Sequence, residues 1–93
     1  MQVITAEVYQ GTLEVTGAAF GVQESDARCT LSARRGDDEV RRTSTATATT
    51  AATYCALLTI GVDELGPGEW EIDLSYESSS SAGSSGTQKV DVS

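Results

Sequence analysis

The sequence predicts an all-β domain, a sandwich or barrel of about seven short antiparallel strands. Apolar and polar residues alternate along most of the chain, which is the period of a strand with one buried face. Turn signals separate these stretches at Gln10-Gly11, residues 36–38 and Gly66-Pro67-Gly68. The two clearest stretches also lack the i, i+3, i+4 spacing that an amphipathic helix needs.

The first two strands are predicted at residues 3–9 and 12–16. In the first, Ile4, Ala6 and Val8 share one face, which we expect to be buried. The second carries alternating leucine and valine and lies between two glycines, which are typical of strand ends.

The clearest strands are predicted at residues 27–34 and 70–77. Each has one apolar face and one charged or hydroxylated face. The apolar faces are formed by Ala27, Cys29, Leu31 and Ala33 in the first and by Trp70, Ile72, Leu74 and Tyr76 in the second.

The remaining strands are less regular. Residues 39–49 are rich in threonine and arginine and predict an edge strand. The alanines of 44–53 would also suit a helix, but the threonines there favour strand or loop. Residues 54–62 carry apolar side chains on both faces, which indicates a bulge or a register change. Residues 87–92 predict the last strand, and the Ser/Gly-rich stretch 78–86 predicts a mobile loop before it.

Composition excludes several function classes. The chain has 93 residues, no histidine and a net charge of −8. Without histidine it cannot form a Ser-His-Asp triad, a Cys-His dyad or a histidine metal site. Its acidity makes nucleic acid a poor partner, and its apolar runs are too short for a transmembrane helix. We therefore expect no enzyme, no cofactor and no membrane insertion.

The segment from Leu65 to Ile72 (LGPGEWEI) resembles bacterial immunoglobulin-like and fibronectin type III-like surface modules. These modules often carry a leucine, a Pro-Gly turn and an aromatic residue at the entry to the penultimate strand. The chain differs from antibody-type domains, in which the cysteines lie further apart and flank the tryptophan. The resemblance implies one domain, residues 1–93, folded as a seven-stranded immunoglobulin-like antiparallel sandwich.

The resemblance also implies which strands are neighbours. Strands 27–34 and 70–77 would share a sheet, so Arg28 and Arg34 would face the acidic residues Glu69, Glu71 and Asp73. Strand 54–62 would lie in the other sheet, which places Cys29 and Cys55 opposite each other across the core. We expect them to form a disulfide, typical of an oxidising compartment; the alternative is two buried thiols.

Candidate binding residues are few. Tyr9 and Tyr54 depart from the apolar alternation of their strands and are candidates for ligand contact. Trp70 could stack on a sugar, but its alternation with Ile72 and Leu74 favours the core. The acidic turns at residues 37–39 and 63–64 could hold calcium, although their spacing matches no EF-hand and favours solvated turns.

These observations predict a non-catalytic spacer or adhesion-type module of a secreted or cell-surface protein. Its partners would be neighbouring domains, or a protein or glycan surface. The alternatives are a carbohydrate- or protein-binding module beside a secreted hydrolase, and a decoration domain of a phage or virion.

Overall fold

The computed structural model describes residues 1–92, which form seven strands and one helical turn. The strands are β1 (Gln2–Tyr9), β2 (Thr12–Phe20), β3 (Arg28–Arg35), β4 (Asp38–Ala48), β5 (Ala52–Gly61), β6 (Gly68–Glu77) and β7 (Ala82–Val92). All pairings are antiparallel, in the order β1-β2-β5-β4-β3-β6-β7. The two end strands approach each other, so the sheet is nearly closed like a barrel. The all-β antiparallel prediction is confirmed.

Strand β4 joins two halves of the sheet. Its residues 38–45 pair with β3, and its residues 46–48 pair with β5. The first half contains β1, β2 and β5, and the second contains β3, β6 and β7. The strand character of residues 39–48 is therefore confirmed against the helical alternative, but the predicted edge position is wrong, because β4 pairs with a strand on each side. The immunoglobulin-like sandwich stays a prediction, because it implies two separate sheets and β4 makes this sheet continuous.

A disulfide links the two halves. Cys29 on β3 and Cys55 on β5 are bonded, with their Cα atoms 5.8 Å apart. Their strands are separated in the sheet by β4, so the bond crosses the interior. Both cysteines are buried. The predicted disulfide is confirmed, and the interpretation as two buried thiols is wrong.

The core lies between the inner faces of the two halves. The predicted apolar faces of 27–34 and 70–77 are confirmed, since every residue of both is buried. The largest fully buried apolar side chains come from four strands: Leu13, Val15, Leu31, Ile60, Trp70, Ile72 and Leu74. A period-two pattern is therefore sufficient to define the interior of β3 and β6.

Two bulges interrupt the first half. On β1, Ile4 is an extra residue between the pairs Val3–Gly17 and Thr5–Thr16. The bulge turns Ile4 outward, so its predicted place beside Ala6 on the buried face is wrong. On β5, residues 56 and 57 lie opposite the single residue Thr16. This second bulge confirms the prediction for 54–62.

The corner before β6 is built around Trp70. Helix α1 (Val62–Leu65), which the sequence pattern did not predict, buries Leu65 beside the core. The Trp70 indole Nε1 donates a hydrogen bond to the carbonyl of Gly66 at 3.1 Å. The guanidinium of Arg35 lies 4.7 Å from the centre of the indole ring and donates to the carbonyl of Pro67. Trp70 is buried, so the alternative of a sugar-stacking platform is wrong.

The Ser/Gly-rich stretch contains less loop than predicted. Strand β7 already begins at Ala82, so residues 78–81 alone form the turn after β6. The turn is closed by the Ser78 amide, which donates to the carbonyl of Ser81 at 2.8 Å. Gly83 permits the strand because a Cβ there would lie 2.6 Å from the Tyr76 ring. The loop predicted over 78–86 is therefore half strand.

Candidate functional site

Most of the basic side chains are held in ion pairs near the turn between β3 and β4. The pairs are Arg34–Glu39 (3.2 Å), Arg41–Glu39 (3.1 Å), Arg35–Asp38 (3.7 Å), Arg42–Glu64 and, between β6 and β7, Lys89–Glu69 (3.6 Å). Arg34 lies between Glu71 on β6 and Glu39 on β4, and it bonds to Glu39. β3 and β6 are neighbours as expected, and Arg34 faces Glu71 as expected. Arg28 faces Glu77, so its expected place opposite Glu69, Glu71 or Asp73 is wrong.

The acidic side chains of the two predicted turns form ion pairs with arginines. Asp38, Glu39 and Glu64 each pair with a guanidinium, which leaves fewer carboxylate oxygens for a cation. Within residues 1–92, no group of three or more His, Cys, Asp or Glu side chains is placed to hold a metal ion. The turns therefore have the geometry of exposed ion pairs, which contribute at most about 1 kcal/mol each.

A depression of about 620 Å³ lies on the outer side of the sheet, across β4, β3, β6 and β7. Its walls carry hydroxyl groups from all four strands: Thr43, Thr30, Ser75 and Ser84. The register explains this grouping, because Thr30 pairs directly with Thr43 on one side and with Ser75 on the other. Small hydroxylated side chains in adjacent register leave a shallow hollow that larger residues would fill.

Two opposite charges flank the depression. Arg28 and Glu77 line it and face each other in the β3–β6 register, yet they form no ion pair. Within the described chain, Arg28 is the one arginine or lysine side chain without an ion pair. A guanidinium presents several N–H donors, a carboxylate accepts, and hydroxyls do both. The depression therefore presents hydrogen-bond donors and acceptors side by side.

The loop at one end of the depression is tethered by acidic side chains. The Ser79 amide donates to Asp26 Oδ2 at 3.2 Å, and the Ser80 hydroxyl donates to both carboxylate oxygens of Glu24, at 2.9 and 3.0 Å. The hydrogen bonds from Ser79 lower the pKa of Asp26, because they favour the charged carboxylate. These contacts fix the 78–81 turn against the segment before β3.

The two candidate tyrosines do not form one site. Tyr9 is exposed at the end of β1, opposite Thr12. Tyr54 is half buried on β5 and lies opposite Ala18. Thr12 and Ala18 are six positions apart on β2, which is roughly 20 Å along a strand. Ligand contact by either tyrosine stays a prediction, and a small ligand cannot touch both.

The hydroxyl-lined depression could not be predicted from the sequence. Alternation predicts that Arg28 and Thr30 face outward, but it does not say which threonine or serine lies beside them. That depends on the register between strands far apart in the chain. The outward position of Arg28 was the one available signal.

Comparison with protein-family models, curated proteins and solved structures finds no match to this chain. Within residues 1–92, no helix is long and apolar enough to cross a membrane.

Proposed function

We propose that the chain is a non-catalytic, immunoglobulin-like module that acts as a spacer or adhesion-type domain of a secreted or cell-surface protein. The observation that carries the proposal is the disulfide between Cys29 and Cys55, which fastens the two halves of the sheet. Stable disulfides are typical of small domains that work in oxidising compartments.

Strand order supports the fold part of the proposal. β1-β2-β5 and β3-β6-β7 are the groupings expected when an immunoglobulin-like chain folds into two layers. The corner at Trp70 lies where the family carries its aromatic anchor. A rigid, cross-linked β domain can hold neighbouring domains at a fixed distance, which is the function of a spacer.

The location is tested on cells of the source organism. Antibodies against the chain should label intact cells or the culture medium, and rapid alkylation before lysis should leave both cysteines unmodified. The alkylated and reduced forms of the purified chain serve as standards. A cytoplasmic chain with both thiols alkylated would contradict the proposal.

The second candidate function is carbohydrate binding at the depression beside Arg28. Three features favour it: the Arg28 guanidinium, which forms no ion pair among residues 1–92, the opposing Glu77 carboxylate and the hydroxyl-lined walls. Sugars present dense arrays of hydroxyl donors and acceptors, which arginine and carboxylate groups bind with directed hydrogen bonds. This candidate uses the outer side of the second half and involves neither Tyr9 nor Tyr54.

A glycan array followed by calorimetry with the strongest oligosaccharide tests this site. Arg28→Ala should weaken binding about tenfold or more, because it removes charge-assisted hydrogen bonds. The matched control is Arg34→Ala, on the same strand and the same outward face but outside the depression. An equal loss of affinity in the Arg28 and Arg34 variants would show that the sugar does not bind at the depression. A loss of affinity only in Tyr9→Ala or Tyr54→Ala would show the same. An array with no bound glycan would reject the candidate.

A further inference from the structure

Large exposed apolar side chains are concentrated on one half of the sheet. Within residues 1–92 they are Ile4, Tyr9, Phe20 and Leu57, each more than half exposed. All four lie on β1, β2 or β5. Isolated exposed apolar residues are normal on soluble proteins, whereas a contiguous group marks a contact surface.

Two bulges bring Ile4 and Leu57 to the same place. The β1 bulge inserts Ile4, and the β5 bulge inserts one residue of the pair Ala56 and Leu57. Both occur opposite Thr16 of the strand between them, so Ile4 and Leu57 flank it. Each bulge gives up regular pairing, and bulges commonly redirect a side chain near functional sites. Here each bulge exposes a large apolar side chain, which lies outside the core.

An aromatic pair extends the surface. Phe20 and Tyr54 contact edge to face, with ring centres 6.3 Å apart. Tyr54 lies opposite Ala18, which is two positions from Thr16, or roughly 7 Å along the strand. We call Ile4, Phe20, Tyr54 and Leu57 the outer apolar face.

The charge beside this face has one sign. Glu7 and Glu14 lie directly opposite each other on β1 and β2, in the row next to Thr5 and Thr16. Like charges in this position repel each other and destabilise the pair. Strands β1, β2 and β5 carry no lysine or arginine, since all six lie on β3, β4 and β7. The repulsion between the two glutamates is therefore not relieved by a cation from the same half.

We propose that the outer apolar face docks a second protein whose contact surface carries aliphatic or aromatic side chains flanked by lysine or arginine. The apolar side chains of the docked protein cover Ile4, Leu57 and the aromatic pair, and its basic side chains pair with the Glu7–Glu14 row. A symmetric contact with another copy of this chain is disfavoured, because β1, β2 and β5 of that copy carry no lysine or arginine to pair with the Glu7–Glu14 row. The proposal goes beyond the spacer function, which requires no docking partner.

The test selects short random peptides displayed on phage against the immobilised chain. Selected peptides should combine Leu, Ile, Phe or Trp with Lys or Arg. A rising salt concentration should weaken their binding, because it screens the attraction between charges. The double variant Ile4→Ser/Leu57→Ser should reduce their affinity about tenfold or more. Ser32→Ala/Thr87→Ala, on the outer side of the second half and outside the depression, is the matched control and should bind normally.

A charge-reversed variant separates docking from folding. Glu7→Lys/Glu14→Lys keeps like charges opposite each other, so its stability should resemble that of the parent, and circular dichroism checks this. Its affinity for the basic peptides should fall about tenfold or more, because attraction becomes repulsion. Unchanged binding in either face variant, or failure to select any peptide sensitive to these variants, would overturn the proposal. So would sedimentation as a dimer that the Ile4→Ser/Leu57→Ser variant dissociates, which would make a second copy the occupant.

Discussion

Removal of the Cys29–Cys55 disulfide is expected to lower the free energy of unfolding by about 3–4 kcal/mol. The two cysteines are separated by 26 positions. Opening a closed loop of this length restores conformational entropy to the unfolded chain, which lowers the free energy of the unfolded state by that amount on the entropy model. A small domain has a total stability of roughly 5–15 kcal/mol, so the loss would be a large fraction of it.

The position of the disulfide adds to the effect. The two halves of the sheet are joined by β4, which pairs with β5 through only the residues 46–48. Ala46 lies opposite Cys55, and Ser44 lies opposite Cys29, so the disulfide spans the point where β4 passes from one half to the other. The bond therefore reinforces the junction with the least strand pairing.

Urea unfolding of the oxidised chain, the reduced chain and the variant Cys29→Ala/Cys55→Ala measures the effect. Reduced chain and variant should unfold at similar, lower urea concentrations, and a reductant should leave the variant unchanged. Identical midpoints for the oxidised and reduced chains would show that the bond adds no stability.

The strands that the sequence predicted best are those with one face in water and one in the core. In β3 and β6, every second residue is apolar and buried, so the pattern and the structure agree. In β5 the pattern breaks after Cys55, and the break marks the bulge. Alternation predicts these strands well because one face of each is buried and the other is exposed, so apolar residues occur at every second position.

The parts that escaped prediction depend on contacts between distant segments. Residues 82–86 carry no large side chain and resemble a linker, yet Ala82, Gly83 and Ser84 pair with β6, and Gly83 leaves room for the Tyr76 ring. The double pairing of β4 depends on where β3 and β5 lie. The hydroxyl-lined depression is likewise assembled from four strands, so no local motif encodes it.

Substitution of Trp70 by alanine should be the most damaging single change, lowering the free energy of unfolding by about 3–5 kcal/mol. The indole is buried at 1% exposure in the core. Its truncation also leaves the Gly66 carbonyl without the indole N–H and the Arg35 guanidinium without its aromatic ring. Three contributions are lost together: apolar burial, one hydrogen bond and one cation–π contact.

Two milder variants separate these contributions. Trp70→Phe keeps an aromatic ring beside Arg35 but removes the hydrogen bond to Gly66, so it should cost about 1–2 kcal/mol. Arg35→Ala removes the cation–π contact and should cost about 0.5–1 kcal/mol. Circular dichroism is the readout, because Trp70 is the sole tryptophan and fluorescence is lost with it. Alanine and phenylalanine variants of equal stability would contradict the account, since only the alanine variant opens a cavity. A loss in Arg35→Ala as large as that in Trp70→Ala would also contradict it. The stabilisation would then come from the cation–π contact and the hydrogen bond from Arg35 to Pro67, and not from burial of the ring.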